Sequence, residues 1–114
     1  MDEFDRAWLT DMLDHAELAV ELLGARDADA LEADVRTLFA VSYALQTIGE
    51  AASHVSRRCQ ASLPGIPWED VIGMRHRLVH GYRTRSALVI AETVREHLPT
   101  LIATVRRALE DSTP

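Results

Sequence analysis

The residues best equipped for chemistry lie together at positions 75–85, RHRLVHGYRTR, which hold four arginines, two histidines and a tyrosine without one acid. Guanidinium forks neutralise phosphate oxygens, imidazole moves protons near neutral pH, and a phenol donates a hydrogen bond. Arg75, His80 and Tyr82, beside the further arginines Arg77, Arg83 and Arg85, therefore suit a phosphodiester. His76 and His80 have the i, i+4 spacing of a metal pair, but no HExxH glutamate or third ligand accompanies them, so the expectation is no metal and no cofactor. Without a metal, the accessible phosphoryl chemistry is cleavage of RNA by the RNA's own 2′-hydroxyl. A base deprotonates that hydroxyl, an acid protonates the leaving 5′-oxygen, and cations stabilise the crowded phosphorane. DNA lacks the internal nucleophile. One chain offers few proton-transfer groups, which makes a dimer pooling two sites attractive.

Taken singly, each of these cations is explained as well by a helix C-terminus, where positive charge opposes the dipole. The cluster asks for more. Arg75 and His80 stand about 140° apart around a helix and roughly 7.5 Å along it. Gly81 can end that helix and turn the chain, bringing Tyr82 back toward the terminus.

The elements that must position this cluster read as helices throughout. Residues 4–23 carry apolar side chains at Trp8, Leu9, Met12, Leu13, Ala16, Ala19, Val20 and Leu23, with acids on the wet side and Gly24 as a stop. Residues 29–58 repeat apolar positions every three or four residues; unbroken, they make a spine of about 45 Å. Within it, IGEAAS supplies small residues for a close helix approach, and Glu50 is the charge among them, either a solvated carboxylate or part of a site. The segment SLPGIPWED breaks helix, and Trp68, Glu69 and Asp70 begin the next one. A further helix starts at Ser86, and Pro99 either kinks it or opens a fifth. The fold class is all-α, a bundle of four or five helices forming one domain over residues 1–114.

Composition agrees with a globular chain: 47% hydrophobic, 26% charged, few Gly and Pro. No apolar run approaches the length of a membrane span, and the start MDEFDRAW is no signal peptide. The single cysteine, Cys59, forms no internal disulfide and suits a reducing cytoplasm; beside Arg57 and Arg58 it lacks a base motif and reads as inert. The formal charge is −6, yet unevenly divided: residues 1–50 hold twelve acids against three arginines, and residues 51–114 six acids against nine. That total argues against broad nonspecific DNA binding and leaves room for a local phosphate site. His15 and His97 read as surface or partly packed positions, and His54 as an i, i+4 surface partner of Glu50.

Arg75, four residues, then His80, Gly81 and Tyr82 resembles the R-x4-H-x-Y motif of the HepT-like toxins of the HEPN superfamily. LQTIGEAA at residues 45–52, IPWEDVIGMR at 66–75 and LPTLI at 98–102 match that family in order and spacing, so the resemblance covers roughly residues 4–109. It implies an all-α HEPN-type bundle, a homodimer with the two motif-bearing helices in a shared cleft, and a metal-independent endoribonuclease acting as the toxin of a toxin–antitoxin pair. Arg75 and His80 would then be the catalytic pair. The family often has asparagine after the arginine, where this chain has His76. Tyr82 matches the tyrosine that a cognate MNT-type minimal nucleotidyltransferase antitoxin modifies with AMP, silencing the toxin. Glu50 falls in the segment that resembles part of the cleft wall.

Two readings of another class stand beside this one. HEPN domains also serve as noncatalytic nucleotide- or RNA-binding modules, and a structural dimerisation bundle in complex with a nucleotidyltransferase would carry Tyr82 only as a modification substrate.

Overall fold

The computed structural model describes residues 1–80 and 86–112, the side chains of residues 77–80 excepted. Arg77 and His80 as side chains, and Gly81, Tyr82, Arg83 and Arg85 altogether, lie outside the described residues.

Every described element is helical. The order is α1 (Glu3–Leu23), α2 (Ala28–Ala33), α3 (Val35–His54), α4 (Arg57–Ser62), α5 (Trp68–His80), α6 (Ala87–Glu92), a π turn (Thr93–His97) and α7 (Leu98–Asp111). Four rods make the bundle: α1, α3, α5, and the continuous run of α6, π turn and α7. α1 packs on α3 and α7, α3 on α5, and short α2 on α6. Their apolar stripes meet in one core of fully buried side chains, among them Leu9, Met12, Leu45, Ile48, Ile90, Leu98 and Val105. Burying such side chains contributes about 1.5–3 kcal/mol each and is what holds the rods together.

The helix starts are written locally. Asp2, Asp27, Asp34, Ser56 and Ser86 each accept a backbone N–H from the first turn of the helix they precede, which satisfies a donor with no intrahelical partner. Gly24 ends α1 at φ 57°, a conformation open to glycine.

The expected unbroken spine over residues 29–58 is instead three helices. Asp34 leaves helical geometry (φ −110°, ψ 84°) and turns its carboxylate onto Thr37, accepting from the Thr37 backbone N–H at 3.1 Å and its hydroxyl at 2.7 Å. Aspartate competes for backbone donors in this way, so it favours a cap over a helix interior. The second break, at Val55, has a tertiary cause. Asp5 of α1 is buried and accepts from both the Ser56 backbone N–H and the Ser56 hydroxyl at 2.7 Å, holding Ser56 as the cap of α4. What remains, α3, is 20 residues long, about 30 Å.

Of the two expectations for Pro99, the second holds: it stands in the first turn of α7, which follows α6 through a π turn with no intervening loop. The chain widens into the π turn over Thr93–His97, immediately before Pro99, and α7 continues from Leu98. Proline lacks the N–H an α-turn needs, and a π turn just upstream absorbs the mismatch.

Candidate functional site

The centre of the site is made where α5 crosses α3 at Gly49. Glycine inside a helix costs roughly 1 kcal/mol relative to alanine, so its presence mid-helix calls for a packing reason. That reason is contact: a Cβ on Gly49 would stand 2.9 Å from the Val71 carbonyl oxygen and 3.0 Å from the Arg75 backbone nitrogen. Only a bare backbone lets α5 come this close, and the approach brings Arg75 over the next turn of α3.

There Arg75 Nη1 donates to Glu50 Oε2 at 2.8 Å and to Ser53 Oγ at 3.0 Å. Ser53 Oγ in turn donates to the Glu50 carbonyl at 2.6 Å, so its lone pairs are aimed at the guanidinium. The other carboxylate oxygen, Glu50 Oε1, lies 3.0 Å from His54 Nε2, which carries the proton when Glu50 is ionised. Beyond it, the His54 ring stacks on Trp8 of α1, ring centres 4.4 Å apart and planes 18° from parallel.

The electrostatics follow. The hydrogen bond from Arg75 first, and that from His54 second, hold the Glu50 carboxyl below its ordinary range. Arg75 is two-thirds buried. Its Nε is enclosed and has no hydrogen-bond partner among the described residues. The guanidinium is therefore anchored through Nη1 while part of it stays accessible, which is how an arginine is best presented to a phosphate.

Of the sequence-predicted site residues, Glu50 and Arg75 are brought into direct contact. His76, next along α5, is exposed. Arg77, His80, Tyr82, Arg83 and Arg85 fall outside the described side chains. Among the described residues, no group of three or more His, Cys, Asp or Glu side chains is arranged to hold a metal ion. Cys59 is buried, and burial, followed by the charge of Asp5, pushes its thiol up, away from the reactive thiolate despite the neighbouring Arg57 and Arg58. His15 hydrogen-bonds its own helix at the Asp11 carbonyl, and His97 is exposed.

The sequence reading treated His54 as a surface partner of Glu50 and passed over Ser53. The signal was present: Glu50, Ser53 and His54 are spaced i, i+3, i+4 and share a helix face. Nothing in the sequence tied that face to Trp8, 46 positions earlier.

The described residues thus form an all-α bundle in which Arg75 is anchored between two helices. The family model described as "Ribonuclease HepT-like" matches residues 12–108, and the chain belongs to that family. It is 32% identical over 101 residues to "Probable ribonuclease HepT" of Thermococcus cleftensis, covering 89% of this chain and 92% of that protein. It is also 27% identical over 96 residues to "Putative RNase MJ1380" of Methanocaldococcus jannaschii, covering 84% of this chain and 88% of the relative. No solved structure matches the chain. The fold is all-α of the HEPN type, and the family supports ribonuclease activity with RNA as the substrate class. None of the described helices is long and apolar enough to cross a membrane.

Proposed function

We propose that this chain is a metal-independent endoribonuclease and the toxin of a toxin–antitoxin pair. Arg75 neutralises the scissile phosphate and the phosphorane that forms from it, and His80 transfers the proton. The 2′-hydroxyl loses its proton and its oxygen attacks phosphorus. The bond to the 5′-oxygen breaks, and that oxygen leaves protonated, giving a 2′,3′-cyclic phosphate and a 5′-hydroxyl end. His76, Arg77 and Glu50 support the site, and Arg83 and Arg85 contact flanking phosphates. The observation that carries this reading is the anchoring of Arg75 by Glu50 Oε2 and Ser53 Oγ, which fixes the cation at the head of the motif.

Regulation follows from the same motif. AMP attached to Tyr82 by a cognate MNT-type nucleotidyltransferase antitoxin sets bulk and a phosphate where the RNA phosphate must bind. The working unit is a homodimer. Val35, Phe39 and Tyr43 recur every fourth residue along α3 and are more than half exposed; such a stripe on the site-bearing helix suits a facing copy.

The test is cleavage of total RNA in EDTA by the unmodified chain and by His80→Ala and Arg75→Ala. Discrete products ending in 2′,3′-cyclic phosphate, lost in both variants, are expected. Nucleotide binding without any RNA product would instead make the chain a noncatalytic module.

A further inference from the structure

We propose that Trp8 of α1 is a positioning residue for the RNA-cleaving site, acting through His54 and Glu50 on the Arg75 guanidinium; this rests on the ribonuclease reading above.

The argument starts from what holds Glu50 still. Its side chain is long and 55% exposed, so packing does little to select one rotamer. A carboxylate tied at one oxygen can still pivot about that contact, carrying its partner with it. Glu50 is tied at both: Oε2 to Arg75 and Oε1 to His54. His54 is itself 47% exposed, and an imidazole on a helix surface has several rotamers open to it. The stack on Trp8 removes that freedom. The ring centres are 4.4 Å apart with planes 18° from parallel, and Trp8 is half-buried against the hydrophobic core. The relay thus runs from a core-seated indole, through imidazole and carboxylate, to the guanidinium.

The flat indole face also fixes the plane of the imidazole, and with it the direction in which the ring nitrogen meets Glu50 Oε1. A bulky aliphatic residue would fill the same space on α1 without offering that face.

Ser53 gives Arg75 a second anchor that does not pass through Trp8. Loss of the indole should therefore loosen the guanidinium without releasing it. The expected defect is partial and falls on the chemical step.

The experiment compares the wild-type chain with Trp8→Leu, Trp8→Phe, Glu50→Ala and the Trp8→Leu/Glu50→Ala double variant, cleaving a short RNA of defined sequence. Trp8→Leu should lower kcat about tenfold with KM nearly unchanged, since small misplacements act on the transition state. Trp8→Phe, which keeps a flat ring, should restore most of the rate. In the Glu50→Ala background, Trp8→Leu should add nothing, because the path to Arg75 is already cut. Equal losses for Leu and Phe, or a full additive loss in the double variant, overturns the relay and makes Trp8 a core residue only. The Arg75 Nε–Hε resonance supplies a readout independent of turnover: it should move in Trp8→Leu and not in Trp8→Phe. If the wild-type chain cuts no RNA, the ribonuclease reading falls, while an unmoved Arg75 resonance in Trp8→Leu is what overturns the relay. Should Trp8→Leu fail to fold, Trp8→Met also fills the space without a flat ring and should show both effects, and an Arg75 resonance unmoved in it overturns the relay.

Discussion

Gly49 on α3 and Arg75 on α5 are in backbone contact: a Cβ on Gly49 would lie 3.0 Å from the Arg75 nitrogen and 3.3 Å from its Cβ. The residue that permits the crossing of two helices therefore also sets where the cation of the motif stands. Packing and chemistry share one position.

Gly49→Ala tests this directly. The neighbouring atoms include backbone of α5, which cannot swing aside as a side chain would. Despite alanine's better helix propensity, the variant should be less stable by about 2 kcal/mol. Urea unfolding measures the loss, and RNA cleavage should fall with it as Arg75 is pushed from Glu50.

The Arg75–Glu50–His54 group should show a defined pH dependence. The folded carboxyl of Glu50 is held below its ordinary value of 4.5, so its contribution is fully present above that value. It is lost as pH falls through the lower folded value. Thermal unfolding of wild type and Glu50→Gln should differ more at about pH 6 than at about pH 3. A gap that widens on acidification would show that the carboxylate is not the stabilising form.

Asp5→Ala should be the more damaging change to the fold. The buried carboxylate accepts two hydrogen bonds from Ser56, one from backbone and one from side chain, across 51 positions of sequence. Its removal strands the Ser56 N–H and frees the start of α4, at a cost of about 2–3 kcal/mol. Chemical denaturation should report this at neutral pH, with the Trp8–His54 stack serving as a local reporter of whether α1 stays seated.

Cys59 should be unreactive in the native protein. It is buried, with its thiol pushed upward by burial. Labelling by a maleimide near neutral pH should run at least about tenfold slower than for an exposed thiol, and reach full rate in denaturant.

Much of the architecture was written in short-range signals. Helical spacing of apolar residues announced α1, the proline-containing break announced the start of α5 at Trp68, and Ser86 announced α6. Each rests on physics contained within a few residues: a capping hydroxyl, a missing N–H, a period of 3.6. The R-x4-H-x-Y spacing and the small residues around Gly49 were legible for the same reason, and they carried the family. The breaks at Asp34 and Val55 were not, because a continuous apolar period masked them. At Val55 the decisive partner, Asp5, is supplied by another helix. Likewise Glu50 was visible as an odd charge, but a charge alone does not name its counter-ion. That required α5 to arrive over Gly49 with Arg75, and α1 to lay Trp8 on His54. The sequence by itself determined which residue types could do phosphate chemistry and which stretches would be helical, since both are local. Only the tertiary structure decided which carboxylate, hydroxyl and ring hold the arginine, because those contacts exist only when separate helices bury their apolar faces against one another.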